Sequence, residues 1–319
     1  MSGLAEGETM ELVLTQIRLL ARDTNLYVFE REDRRPLPGA EPGAHIGVIL
    51  QNGIERQYSL TQSGAELPFY AVGVKKDAKS RGGSNFMHDS LRVGARVKIA
   101  PPRNNFPLKE DATRTVLIAG GIGITPVFCM VKRLAALGRK WELYYSARTR
   151  NDAAFADELS NFPETHFHFD DEQEGKFLDV PAIVRAAPSD AELYCCGPEP
   201  MIASFETATS KFPPGQIHVE YFTPKFTAAA EGGFLVVLAR SQREVAVPKG
   251  KSILQCVRDL GVQVPFSCEE GICGACETRV IEGTPDHRDS ILTESERKES
   301  ATMMICCSGS KSPRLVLDI

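Results

Sequence analysis

The sequence has no excess of basic residues: 37 Lys and Arg stand against 42 Asp and Glu, a formal charge of −5 at pH 7. That balance speaks against a nucleic-acid binder held by phosphate neutralisation. No apolar run approaches the ~20 residues that a bilayer span requires, so no membrane span is expected. The opening MSGLAEGETMELVLTQIRLL has no basic segment ahead of a long apolar stretch. It therefore does not read as a secretory signal, and the expected compartment is the cytoplasm. Internal repeats and low-complexity segments are also missing. What remains is a chain of 319 residues, 42% hydrophobic and 25% charged, too long for one ordinary core and so expected to form two or three domains. Its nine cysteines are an odd number crowded toward the C-terminus, which favours metal or cofactor chemistry over a disulfide framework.

Residues 1–110 carry short β-prone runs broken by turns, at Met10 to Leu19, Leu26 to Glu30, His45 to Leu50, Glu55 to Leu60, Phe69 to Val74 and Arg96 to Ile99, with one short helix at Ser84 to Leu91. This pattern predicts an antiparallel β-barrel. Over 111–224 the pattern alternates: TVLIAG, Pro126 to Leu137, WELYYSA, Ala153 to Leu159, THFHF, Ala182 to Ala187, AELYCCG, Glu199 to Lys211 and QIHVEYF. Buried-type strands alternating with helices predict an α/β domain with a parallel sheet. Around 225–233 the stretch TPKFTAAAEGG is small and aperiodic, the composition of a linker. Residues 234–319 open with FLVVLAR, a turn at Ser241 and Gln242, REVAVP and an amphipathic stretch at Ser252 to Leu260, the makings of a small α+β module.

Within that module Cys268, Cys273 and Cys276 follow C-x4-C-x2-C, and a fourth thiol comes 30 positions later at Cys306 or next to it at Cys307. This is the plant-type [2Fe-2S] pattern, in which one loop wraps the cluster and a later strand closes it. Gly271 and Gly274 let backbone pass close to sulfur and aim N–H groups at it. A structural zinc site also takes four Cys, but usually as two C-x2-C knuckles, and only one such pair exists here. Cys129, Cys195, Cys196, Cys256 and Cys307 read as small buried apolar residues.

Gly120-Gly121-Ile122-Gly123-Ile124-Thr125-Pro126 joins TVLIAG to a helix. Glycines at such a turn let backbone approach a pyrophosphate, and the helix N-terminus supplies donors and positive charge. The run is not the G-x-G-x-x-G fingerprint, and a tight turn without ligand is the alternative. Cys196-Gly197-Pro198 follows another parallel-type strand, so two strand ends bound one crevice. In the barrel, Arg56-Gln57-Tyr58-Ser59 offers a flat ring both an aromatic and a hydroxyl, and Ser80-Arg81-Gly82-Gly83-Ser84 ahead of a helix reads as a phosphate nest. By itself Tyr58 reads more readily as a barrel residue, and only together with the other motifs as a flavin contact.

RQYSL, SRGGS, PPRNNFPL, AGGIGITP, YCCGPEPM, HVEYF and the cysteine loop together resemble the phthalate dioxygenase reductase family, the one-chain reductases of Rieske-type oxygenases, over almost the whole chain. The resemblance implies an FMN-binding barrel, an NAD-binding domain and a β-grasp ferredoxin domain, with NADH as donor and the oxygenase as acceptor of electrons passed through FMN and a [2Fe-2S] cluster. It gives Arg56, Tyr58 and Ser59 to the flavin strand, with Tyr58 against the ring and Ser59 near its reactive nitrogen. Arg81, Gly82, Gly83 and Ser84 fall to the FMN phosphate, and Gly120, Gly121, Gly123 and Thr125 to the nucleotide turn. Cys196, Gly197 and Pro198 lie beside the nicotinamide, and Phe222 lies near the flavin where nicotinamide enters. Ser59, Thr125, Cys196 and Phe222 are thus the catalytic candidates, and the family ending favours Cys306 over Cys307 as the fourth ligand. None of His45, His88, His166, His168, His218 and His287 falls in these motifs as a ligand. A monomer is expected. Arg148 and Arg150, past WELYYSA, are placed to meet a 2′-phosphate, so NADPH stays open beside NADH, as do a cytochrome P450 or ferredoxin acceptor and a non-enzymatic electron carrier.

Overall fold

A computed structural model describes residues 9–51, 53–78 and 82–319. The chain divides into two compact units, Met1–Glu220 and Tyr221–Ile319. In the first, strands β1 (Met10–Ala21), β2 (Thr24–Glu30), β3 (Leu37–Ala40), β4 (His45–Ile49), β5 (Glu55–Ser59), β6 (Gly64–Leu67), β7 (Tyr70–Lys75) and β8 (Arg96–Ile99) precede a parallel sheet. Six of them form one sheet in the order β5-β4-β8-β1-β2-β7. A bridge between Leu60 and Val72 joins its two edges into a barrel, which removes the unpaired edges an open sheet would present. Leu12, Leu14, Ile46, Val48, Val72 and Val97 fill it, as the alternation of the strands requires. β3 and β6 pair as a separate ribbon. The short helix α1 spans Gly83–Asp89, two residues shorter at its end than expected.

The parallel sheet holds β9 (Thr115–Gly120), β10 (Trp141–Ala147), β11 (Thr165–Phe169), β12 (Glu192–Cys196) and β13 (Ile217–Glu220) in the order β11-β10-β9-β12-β13. The order reverses between β9 and β12, and in such sheets the crevice at that reversal, beyond the carboxyl ends of the strands, is where ligands bind. Helices α2 (Ile124–Ala136), α3 (Ala156–Leu159), α4 (Val180–Ala186) and α5 (Glu199–Thr209) cover it. α3 starts later than the expected Ala153 because Phe155 sits at φ 61°, a left-handed conformation that no helix continues through. That turn is anchored where the Phe155 ring stacks on Phe128 at 4.2 Å. The core under α2 is continuous with the barrel: Leu26, Val28, Ala71 and Phe106 pack in one cluster with Leu117, Val127, Val131 and Tyr145. Each Val, Leu or Phe side chain among them contributes about 1.5–3 kcal/mol on burial. The shared core holds the barrel fixed against the sheet.

The second unit is a mixed sheet, β15-β14-β20-β16-β18, made by β14 (Phe234–Leu238), β15 (Arg243–Val247), β16 (Glu277–Glu282), β18 (Thr302–Met304) and β20 (Arg314–Leu317), with the short pair β17 (Pro285–Asp286) and β19 (Gly309–Ser310) beside it. α6 (Ile253–Asp259) packs its buried Ile253, Leu254, Cys256 and Val257 on this sheet, and α7 is Glu294–Glu299. Ser252 with Gln255 and Thr293 with Glu296 form capping boxes at their starts, satisfying backbone donors that helix geometry leaves free. The stretch read as a linker is partly tied into this unit, with Ala229 N–H donating to the Cys307 carbonyl at 2.8 Å and Gly250 N–H to the Ala230 carbonyl at 3.0 Å.

Candidate functional site

In the first unit, β5 delivers Ser59, β12 delivers Cys196 and β13 delivers Glu220. Cys196 and Glu220 are direct partners in the parallel ladder, and the Cys196 thiol donates to Glu220 Oε2 across 3.9 Å. The Ser59 hydroxyl donates to the same carboxyl. Burial pushes the Glu220 carboxyl up to about 8, against which the Cys196 and Ser59 bonds act only weakly. At neutral pH Glu220 therefore carries a proton. The Cys196 thiol is itself pushed up, by burial first and by Glu220 second, so it is not a thiolate nucleophile. Glu220 belongs to no motif, and its one signal in the sequence is an acid between the apolar and aromatic residues of HVEYF.

The glycines of the nucleotide turn divide into two kinds. A Cβ on Gly123 would lie 2.2 Å from the Cys196 carbonyl oxygen, and one on Gly120 would lie 2.6 Å from Pro198 and 2.8 Å from Met201. These two, with Gly197 against Met201 and Gly120, bring the two strand-end turns into contact and so have a packing reason. Gly121 differs: at φ 54° with nothing within 4 Å of its missing side chain, it leaves backbone open at the reversal point. Thr125 turns its hydroxyl to the Ile122 carbonyl at 3.0 Å, and its methyl would meet a side chain on Gly73 at 2.7 Å. Its observed role is to seat α2 against the barrel. Pro198 caps the start of α5.

At the barrel, the Arg56 side chain runs across Gly83, where an added Cβ would lie 2.6 Å from Arg56 Cγ. Gly82 at φ 96° begins α1. A guanidinium over a glycine turn at the start of a helix suits an anionic phosphate. Ser84 Oγ accepts from Asp77 N–H at 3.2 Å, and Arg81 lies outside the described residues. Tyr58 is half-buried against the barrel core. Phe222 belongs to the second unit and is 38% exposed.

In the second unit Cys268, Cys273, Cys276 and Cys306 are all buried. The Cys268 thiol donates to Cys273, and the Cys276 thiol donates to Cys306. Backbone N–H groups of Glu270 and Ile272 face Cys268, that of Ala275 faces Cys273, and that of Gly271 faces Cys306. Two thiol pairs with donors aimed at sulfur match a two-iron group, which takes two thiolates at each iron. Cys307 belongs to neither pair: its thiol donates to Cys306, its sulfur would lie 2.5 Å from a Cβ on Gly271, and it contacts the Met304 carbonyl and the Ser308 hydroxyl at 3.8 and 3.9 Å. Residues 305–307 form a turn after β18, which brings both thiols to Gly271 of the cysteine loop.

A barrel sharing one core with a parallel sheet, followed by a four-thiol module, defines a nucleotide-dependent electron-transfer protein. Residues 117–207 match the model of an oxidoreductase NAD-binding domain, and residues 236–310 match that of a 2Fe-2S iron-sulfur cluster binding domain. The chain is 46% identical to phenoxybenzoate dioxygenase subunit beta of Ectopseudomonas oleovorans over all of both chains. It is 45% identical to tetrachlorobenzoquinone reductase of Sphingobium chlorophenolicum over 98% of each. Among solved structures, phthalate dioxygenase reductase, described as a modular structure for electron transfer from pyridine nucleotides to [2Fe-2S], aligns with a TM-score of 0.72 at 36% identity over 98% of each chain. An intact type IV self-sufficient cytochrome P450 monooxygenase aligns with a TM-score of 0.89 at 35% identity, all of this chain matching 43% of that one. The chain belongs to the phthalate dioxygenase reductase family. It is an oxidoreductase with an NAD-binding domain and a 2Fe-2S iron-sulfur cluster binding domain. Among the described residues, no helix is long and apolar enough to cross a membrane.

Proposed function

We propose that electrons enter at the corner formed by Ser59, Cys196 and Glu220 and leave through the loop of Cys268, Cys273, Cys276 and Cys306 to a Rieske-type oxygenase component. The observation that carries this reading is the convergence of Ser59 and Cys196 on the protonated Glu220 at the carboxyl ends of β12 and β13. That corner presents neutral polar groups where a negative carboxylate would oppose incoming negative charge. Arg56, Gly82, Gly83 and Ser84, joined by Arg81, hold the FMN phosphate. Tyr58 lies against the ring and Ser59 beside it. Gly121 and the start of α2 receive the pyrophosphate of NADH, with Gly120, Gly123 and Thr125 shaping the turn, and Cys196, Gly197 and Pro198 border the nicotinamide. Phe222 is the fourth catalytic candidate, an exposed aromatic of the second unit. When bound, FMN converts a two-electron donor into single electrons and the cluster relays them one at a time. The protein acts as a monomer in the cytoplasm.

The purified chain should release FMN on acid treatment, contain two irons per chain, and reduce a Rieske-type oxygenase with NADH at a higher kcat/KM than with NADPH. Release of FAD, zinc in place of iron, or a higher value with NADPH would overturn the corresponding assignment. A second reading, a quinone as acceptor, is favoured by the 45% identity to tetrachlorobenzoquinone reductase. Comparing kcat/KM for a halogenated benzoquinone, a P450 and an oxygenase component ranks the acceptors directly.

A further inference from the structure

Residues 287–297 of the second unit form a brace against the cysteine loop. Ser290 N–H donates to the Gly271 carbonyl at 2.8 Å, and a Cβ on Gly271 would lie 3.0 Å from Asp289 Cα. Gly271 stands between Cys268 and Cys273, so the brace touches the loop at its centre. Asp289 is fully buried. Its Oδ2 accepts from the N–H groups of Ile291 and Leu292 at 3.1 and 2.8 Å, whereas its Oδ1 has no hydrogen-bond partner. Arg297 reaches in from α7: Nη2 donates to the Asp289 carbonyl at 2.5 Å and stands 3.6 Å from Oδ2, and Nε donates to the Leu292 carbonyl at 3.0 Å. Its guanidinium also lies 5.1 Å from the Phe226 ring centre. His287 Nδ1, 3.9 Å from Oδ1, is too far to neutralise it by a hydrogen bond.

A buried carboxylate that is only half satisfied costs stability unless it is matched by a partner or a role. Reduction of a four-thiolate cluster adds a negative charge to a group that is already negative, so a neighbouring carboxylate disfavours the reduced form and a neighbouring guanidinium favours it. Both act at low dielectric, where such charges are felt strongly.

We propose that Asp289 and Arg297 are a pair of positioning residues that brace the cluster loop through Gly271 and set the cluster's reduction potential by opposing charges. The proposal rests on the four-thiol loop holding the cluster. Removing the carboxylate leaves Arg297 acting alone, so the potential rises. Removing the guanidinium leaves the carboxylate acting alone, so the potential falls.

The test is potentiometry of the full chain, followed by the paramagnetic signal of the cluster, on Asp289→Asn, Arg297→Gln, Arg297→Lys and the double variant Asp289→Asn/Arg297→Gln. Asp289→Asn is expected to raise, and Arg297→Gln to lower, the potential by a tenfold change in the electron equilibrium, 59 mV for a one-electron couple. Arg297→Lys keeps the charge and should stay within a twofold change, and the double variant should return toward the wild type. Shifts of the same sign, or both below twofold, overturn the proposal, because a purely structural brace would alter cluster retention without opposing shifts. Where Asp289→Asn accumulates without a cluster, the contrast of Arg297→Gln with Arg297→Lys decides alone: equal potentials overturn the proposal. Wild-type protein that carries no two-iron cluster would instead refute the ligand reading, a result distinguishable from all of these.

Discussion

In the first unit the reactive corner is assembled from three strands far apart in sequence, Ser59 on β5, Cys196 on β12 and Glu220 on β13, whereas in the second unit three of four thiols share one nine-residue loop from Cys268 to Cys276. The corner owes its geometry to packing. Glycines at 120, 123 and 197 bring two turns into contact, and Thr125 fits against Gly73 of the barrel. The loop owes its geometry to local backbone, with N–H groups of residues 270, 271, 272 and 275 facing sulfur. A corner of the first kind should be sensitive to volume, and a loop of the second kind to ligand chemistry. The units should then fail separately.

The largest expected effect is on the loop. Cys306→Ser should abolish or strongly perturb the visible and paramagnetic spectra of the cluster, whereas Cys307→Ser should leave them largely intact, since it is Cys306 that pairs with Cys276 and accepts the Gly271 N–H. The opposite pattern would move the fourth ligand by one residue. Next is the corner: Gly123→Ala places a methyl 2.2 Å from the Cys196 carbonyl oxygen, and overpacking of this kind costs about 1–3 kcal/mol. Thermal unfolding should show the loss and the KM for NADH should rise, with cluster spectra unchanged. Cluster loss in this variant would break the separation of the two units.

The smallest effect concerns Glu220. Because its carboxyl is protonated up to about pH 8, Glu220→Gln imitates it at pH 7 and should change turnover there by no more than about threefold, well below the effect of removing an essential proton donor. Above pH 8 the wild type gains a negative charge at the corner and should slow, whereas the variant should not. Stability follows the same sign. A carboxyl with its folded pKa raised binds its proton more tightly when folded, so its contribution is full below an ordinary Glu pKa of about 4.3 and is lost as pH rises through about 8. Denaturant titrations at pH 5 and pH 9 should show the wild type losing more stability than Glu220→Gln, and equal losses would contradict the assignment.

The parts of the molecule legible in the sequence are those whose physics is local. TVLIAG is buried along its whole length as β9, as a strand covered on both faces must be, and the cysteine spacing states the donor set directly. The ribbon of Leu37–Ala40 with Gly64–Leu67 went unseen because LPGA and GAEL show no alternation of apolar and polar residues. Glu220 is a lone acid in a strand, and only pairing with Cys196 and approach by Ser59 turn it into part of a site. The glycines of the nucleotide turn carry the same residue name for two different reasons, close packing at 120 and 123 and open backbone at 121, which no motif separates.

The measurement that tests the path most directly is rapid mixing of Cys306→Ser with NADH, read first by ferricyanide and then by a one-electron protein acceptor. Ferricyanide reduction should proceed at the wild-type rate with full FMN content, while reduction of the protein acceptor is lost. Loss of ferricyanide reduction in a folded, FMN-replete Cys306→Ser variant would contradict the order of NADH, then FMN, then cluster.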